Sequence, residues 1–242
     1  MCTVSYVPLA SGGFVFTSNR DEAPQRSTAD LQQQLVANQC VLFPRDSGAG
    51  GTWIAVSEHD RLVCVLNGAF TGHERQPPYR RSRGLMALDY FGYTDFATFV
   101  ETYDFVGIEP FTFIVWEHGT LQELRWDGEQ RHPLTLAPDA QHLWSSATLY
   151  DSAAQTLRKG WFRDWQTAHA APTPAEVMQF HTESGADDDW NGVIMNRMDR
   201  VCTVSITQVV RQTAGWHMAF RELRSDVEAV HTLPLAAAFL TS

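Results

Sequence analysis

The sequence predicts an α+β domain built from layered antiparallel sheet. Three observations carry this. Short β-prone runs with glycine-rich links fill the first third, helical periodicities follow, and further strands close the chain. The 242 residues suit a single domain spanning 1–242. The breaks at Pro77-Pro78 and Ala170–Pro174 are too short to be linkers.

Thr3–Val7 and Gly13–Thr17 read as strands joined by a turn at Ala10-Ser11-Gly12-Gly13, and Val41–Phe43, Thr52–Val56 and Arg61–Leu66 continue the pattern. Ser82 to Phe91 is helical by its apolar spacing, and Thr94 is placed to cap a second helix running to Tyr103. Phe111–Trp116 and Leu121–Trp126 form a hairpin around Gly119. In the helix Ser152–Ala168, Leu157, Trp161 and Trp165 stand at i, i+4 and i+8, which predicts a buried face. Thr173, Pro174 and Glu176 make a capping box ahead of a helix to His181. Val201–Val210 and Trp216–Leu223 close the chain as a hairpin.

A net charge of −10, with Lys159 as the sole lysine, argues against a nucleic-acid partner. No apolar run approaches the ~20 residues of a membrane span, and the first residues lack a signal peptide's charged and apolar regions. The expected location is the cytoplasm. There Cys2, Cys40, Cys64 and Cys202 should be free thiols, the last three as small buried hydrophobes. His59, His73, His118, His142, His169, His181 and His217 are scattered without metal-ligand spacing, so no metal site is expected. Asp187-Asp188-Asp189 lacks the alternating ligands of a cation loop and reads as a solvated turn.

Cys2 directly follows the initiator methionine. Removal of Met1 would expose an α-amine, of pKa near ~8, within reach of the same residue's thiol, so nucleophile and base could come from one residue. Asn19-Arg20-Asp21-Glu22 sets charge at a strand terminus, where an arginine could depress a thiol pKa and an aspartate could orient an amine. If the first two strands are a hairpin their far ends separate, so a neighbouring strand would have to bring Cys2 beside Arg20 and Asp21. Asn67-Gly68 is a turn signal whose amide could also donate to an oxyanion. Arg80, Arg81 and Arg83 precede or open a helix, a geometry suited to a carboxylate or phosphate.

Met1-Cys2-Thr3 with Thr17-Ser18-Asn19-Arg20-Asp21-Glu22 resembles the NRDE family, which includes the eukaryotic transport-and-Golgi-organisation protein. Phe43-Pro44-Arg45-Asp46, Gly50-Gly51-Thr52-Trp53-Ile54, Leu66-Asn67-Gly68-Ala69-Phe70 and Tyr79-Arg80-Arg81-Ser82-Arg83-Gly84 resemble its bacterial branch. So do Glu109-Pro110-Phe111-Thr112, Trp126-Asp127-Gly128, Trp144–Tyr150 and Thr203–Thr207. The family is similar in turn to N-terminal-nucleophile hydrolases of the choloylglycine hydrolase and penicillin V acylase kind.

This resemblance implies a four-layer αββα fold and a cysteine hydrolase acting on the C–N bond of a small amide. It implies Cys2 as nucleophile, Arg20 and Asp21 as the groups that tune and orient it, and Asn67 as oxyanion donor. Asn19, Arg81 and Arg83 are the expected substrate-binding residues, for a ligand expected to be anionic. No cofactor is expected, although a non-enzymatic carrier of haem or an acyl lipid is the alternative on the same fold. Two positions depart from the acylases. Ser145-Ser146 stands where they have an Asn, and Val201-Cys202-Thr203-Val204 where they have a late arginine.

Overall fold

The computed structural model describes residues 3–26, 28–225 and 227–237. The chain groups into two compact units. One is Met1–Ser27, Asp139–Ser145 and Leu149–Thr232, and the other Thr28–Pro138, Ser146–Thr148 and Leu233–Ser242. Two seven-stranded sheets and helices between strand sets make the architecture mixed, as the sequence predicts.

Fourteen strands are described: β1 (Thr3–Pro8), β2 (Phe14–Glu22), β3 (Thr28–Val36), β4 (Gln39–Asp46), β5 (Ile54–Ser57), β6 (Arg61–Asn67) and β7 (Phe111–Glu117), then β8 (Thr120–Trp126), β9 (Arg131–Leu136), β10 (His142–Ser145), β11 (Asn196–Arg197), β12 (Val201–Gln212), β13 (Gly215–Glu222) and β14 (Glu228–Pro234). The helices are α1 (Arg83–Asp89), α2 (Phe96–Thr102), α3 (Ser152–Ala168) and α4 (Pro174–Glu183).

The first sheet runs β10-β1-β2-β12-β13-β14, with β11 added to β12. β1 and β2 are antiparallel, and Thr3 pairs with Asn19. This corrects the expectation of separated ends, because the turn after Pro8 folds β2 straight back along β1. Side chains alternate across a strand, so Val7, Val15 and Val210 share one face and meet Phe162 of α3 with Val177 and Phe180 of α4. The capping box of α4 forms as expected, Thr173 with Glu176.

On α3 the buried stripe is Ala154, Arg158 and Phe162, while Leu157 is exposed. Trp161 and Trp165 flank the core. The predicted face is therefore rotated by one residue. Arg158 made the true face look polar, and its charge is satisfied inside the protein, as shown below.

The second sheet runs β3 to β9 in chain order. α1 and α2 sit over an aromatic cluster in which Phe99 meets Tyr90 at 5.2 Å, Tyr103 at 4.8 Å, Phe105 at 5.4 Å and Phe113 at 5.7 Å. Such ring pairs add to plain area burial. The cap of α2 is Asp95 rather than Thr94, since its carboxylate accepts from the Thr98 N–H at 2.7 Å. An ionised acceptor makes the stronger cap bond.

The motifs Gly50–Ile54 and Tyr79–Gly84 meet in this unit. A Cβ on Gly51 would stand 2.4 Å from the Gly84 carbonyl carbon, and one on Gly84 2.7 Å from the Thr52 carbonyl oxygen. Only glycine lets the two backbones touch there. Cys64 and Cys202 are buried as expected, while Cys40 is half-buried, and all three are free thiols.

Candidate functional site

Cys2 lies outside the described residues, so the site begins at Thr3. In the first unit β2 continues past its Thr3–Asn19 pair into Arg20 and Asp21, which are 3% and 2% exposed. The Asp21 carboxylate accepts two hydroxyl hydrogen bonds, from Tyr150 at 2.7 Å and from Thr203 at 2.6 Å. Thr203 is also its ladder partner on β12, next to a register irregularity before Ser205. The Arg20 guanidinium donates to the Arg26 carbonyl at 2.9 Å and stands 4.0 Å from Glu22. A buried carboxylate bonded by two hydroxyl donors is held in one orientation. Thr203 occupies the strand where the acylases carry a late arginine.

Asn19 is not positioned as a substrate contact. It is fully buried, and its Nδ2 donates to the carbonyls of Val193 at 2.6 Å and His181 at 3.0 Å. Its Oδ1 lies 2.6 Å from His181 Nδ1, and His181 Nε2 lies 2.7 Å from Ser5 Oγ. Because Asn19 Oδ1 can only accept, Nδ1 carries the proton, and Nε2 accepts from Ser5. This chain has the form of a serine–histidine relay. All three residues are 0% exposed, so here it bolts α4 to β1 and β2. Burial first, and then the charge of Arg158, pushes the imidazole down to about 3.

Beside it, Arg158 of α3 is also 0% exposed. It donates to Asn191 O at 2.8 Å, to Gly192 O at 2.5 Å and to Thr3 Oγ1, and lies 3.6 Å over the Tyr150 ring. These partners are all neutral.

In the second unit Asn67 ends β6 with its backbone locked. Its carbonyl accepts from Ser146 Oγ at 2.8 Å, the Gly68 N–H donates to Pro110 O at 3.0 Å, and the Gly68 carbonyl accepts from Thr112 Oγ1 at 2.9 Å. Gly68 has φ +80°, and a Cβ there would meet Thr148 at 2.9 Å. The Asn67 side-chain amide is half-buried and has no hydrogen bond among the described residues. Ser146, at the position of the acylase asparagine, spends its hydroxyl on this backbone and on Thr148 at 3.0 Å.

The arginine run is also committed within this unit. Arg81 makes a two-point pair with Asp89, which also accepts from Tyr103. Arg83 bonds Pro110 O at 3.1 Å and pairs with Glu109 at 3.1 Å, and Arg80 donates to the carbonyls of Asp104 and Val106. The sequence placed Arg81 and Arg83 as free cations for a ligand. Instead Arg81 ties the approach to α1 to that helix's end, and Arg83 ties its start to the loop before β7. Their charge is matched by the acids that precede β7 and end α1.

Tyr150 and Thr203 were within reach of sequence reasoning, since both belong to motifs quoted above. Ser5, His181 and Arg158 carried no signal. Among the described residues no cluster of His, Cys, Asp and Glu could hold a metal ion. Nor is any helix among them long and apolar enough to cross a membrane.

Comparison with known proteins now bears on this geometry. The family model for Transport and Golgi organisation 2 matches residues 1–179. The chain belongs to that family. A search of curated proteins finds no match. Among solved structures, the Caenorhabditis elegans ortholog of N-acylethanolamine-hydrolyzing acid amidase superimposes with a TM-score of 0.60 at 11% identity, covering 86% of this chain and 92% of that one. A cysteine-to-alanine variant of the conjugated bile acid hydrolase from Clostridium perfringens gives 0.59 at 8% identity, covering 96% and 92%. The fold is therefore that of the N-terminal-nucleophile hydrolases.

Proposed function

We propose that this chain is a cysteine N-terminal-nucleophile hydrolase that cleaves the C–N bond of a small non-peptide amide. The observation that carries the reading is the end of β2, where Arg20 and Asp21 are both buried and the carboxylate receives two hydroxyl bonds. Burying charge in this way is costly, and a site that must tune a nucleophile is where such a cost is retained. Cys2 is the proposed nucleophile, its α-amine the base after removal of Met1, and Arg20 and Asp21 the groups that set their protonation and orientation. Asn67 is the proposed oxyanion donor, supported by an unpartnered amide on a fixed backbone. Similarity to amidases supports the reaction class.

A second reading is a non-enzymatic carrier of haem or an acyl lipid. Thr203 favours it, because a neutral hydroxyl stands in the strand where the acylases place a cation.

One experiment separates the two. Intact mass reports whether Met1 is removed, and a panel of N-acyl amides is assayed with the wild type and with Cys2→Ala. Turnover by processed wild type, lost by at least about a thousandfold in Cys2→Ala, is the expected result. Retained Met1, or turnover indifferent to Cys2, would end the amidase reading. Stoichiometric haem or fatty-acyl binding without turnover would favour the carrier.

A further inference from the structure

Each sheet has edges that must be kept from joining other chains. β10 is four residues long, β9 carries Pro133 at its middle, and β14 carries Glu228 and ends in Pro234. β3 is different. From Leu31 to Val36 it reads Leu-Gln-Gln-Gln-Leu-Val, without charge or proline and in unbroken register with β4. Gln33, Gln34 and Leu35 are exposed, and Leu35 is 79% exposed on a strand whose Leu31 is 5% exposed.

The hairpin fixes which backbone groups face outward. Val36 pairs with Gln39 across Ala37 and Asn38, whose φ angles of 48° and 65° make a two-residue primed turn. The pair that closes such a turn is hydrogen-bonded, and bonded pairs alternate along the ladder. Val36, Gln34 and Gln32 therefore bond to β4, and Leu31, Gln33 and Leu35 point their N–H and C=O away from it. The Cys40 carbonyl, opposite Leu35, accepts from Glu58 on its far side, as this alternation requires.

We propose that this edge pairs antiparallel with β3 of a second copy of the chain, about a twofold axis through Gln33. A twofold contact presents one surface to itself, and Leu31-Gln32-Gln33-Gln34-Leu35 reads the same in both directions. With the axis at Gln33, Leu31 meets the partner's Leu35, Gln32 the partner's Gln34 and Gln33 its own equivalent. The three outward residues fall in register as bonded pairs, giving about six inter-strand hydrogen bonds. The exposed Leu35 gains a leucine neighbour, and glutamine amides pair on the opposite face. Two chains of net charge −10 repel over most of their surface. This uncharged stretch is where they can approach.

Sedimentation velocity from about 1 to 100 µM, the range of a small interface, should show the wild type passing from one to two chain masses. Leu35→Lys should weaken the dimer by at least about tenfold, since a cation then stands against the partner's leucine. Register is tested by oxidation. Gln33→Cys places two thiols on the axis, about 5.5 Å apart at Cα, and should form an interchain disulfide. Gln34→Cys puts its thiols two residues out of step, roughly 8 Å apart, and should not. Monomeric wild type across the range overturns the proposal. So does a dimer unchanged by Leu35→Lys, or preferential crosslinking through Gln34→Cys. A monomer that takes up an added extended peptide at β3 replaces it with strand addition by a different partner.

Discussion

The helices of both units are fixed to their sheets by buried polar groups, and the two networks use opposite electrostatics. In the second unit Glu117 is matched: Arg61 lies 3.6 Å away, Tyr90 donates at 2.5 Å and the Phe96 N–H at 2.8 Å. Arg61 also holds the Tyr93 and Thr94 carbonyls at the turn between α1 and α2. In the first unit the buried cation Arg158 bonds carbonyls and a hydroxyl and lies over a ring, the negative charge of Asp188 acts on it from nearby, and a neutral serine–histidine–asparagine chain stands beside it. Desolvation is offset chiefly by counter-charge in the second unit and chiefly by dipoles in the first. The second unit sets its ion pair beside its aromatic cluster, with Arg61 over the Tyr90 ring. The first carries its polar cost beneath β1 and β2, the strands that lead to the proposed reactive end.

The largest expected effect tests the aromatic half. Phe99 is 0% exposed and central to the ring cluster, so Phe99→Ala should cost about 4 kcal/mol in denaturant unfolding, from lost transfer and an unfilled cavity. A loss under about 1 kcal/mol would mean that the cluster collapses freely and does not anchor α2.

The next effect belongs to the polar half. His181 titrates near 6.5 when unfolded and is pushed down to about 3 in the fold, by burial first and then by Arg158. Below pH 6.5 the unfolded chain therefore binds a proton that the folded one refuses. The stability is fully present above that pH and is lost as pH falls toward 3. Between pH 7 and pH 4 the loss should reach about 3 kcal/mol. His181→Gln should flatten this part of the acid limb whatever its stability at neutral pH. Arg158→Met should make it shallower, because the nearby positive charge is gone. An unchanged acid limb in both variants would show that His181 is already protonated in the fold.

Legibility in the sequence follows the same division. Strands with clean alternation or short apolar runs, such as β6, β7, β8 and β12, were readable, as were helices with caps, such as α4. β3 was missed because Gln32, Gln33 and Gln34 hide its period, and β9, β10 and β14 because edge strands lack a continuous apolar face. The α3 face was misread because a buried arginine looks like solvent-facing charge until its carbonyl partners are known. At the candidate site, Arg20, Asp21 and Asn67 were legible as motif residues, but their partners come from distant segments. Nothing in Asn19-Arg20-Asp21-Glu22 says that Tyr150 and Thr203 will bind the carboxylate, or that Asn19 faces a histidine 162 residues away. The partners of the arginine run were hidden for the same reason, since Glu109 is remote from Arg83 in sequence and adjacent to it in the fold.

The smallest expected effect concerns the Asp21 carboxylate, where the polar half meets the proposed chemistry. Tyr150→Phe and Thr203→Val each remove one hydroxyl from it while keeping the shape of the side chain. A hydrogen bond to a charged group contributes about 1.5–3 kcal/mol, so each variant should lose toward the lower end of that range, the second donor remaining in place. The two hydroxyls bind different oxygens of one carboxylate, so each can take up part of the load when the other is removed. The double variant should therefore lose more than the sum of the single ones, by roughly 0.5–1 kcal/mol at neutral pH. Additive losses would mean that other groups hold Asp21 and that its hydroxyl partners only fill space. The β2 terminus would then lose its claim to be a tuned site, and the two units would differ in packing alone.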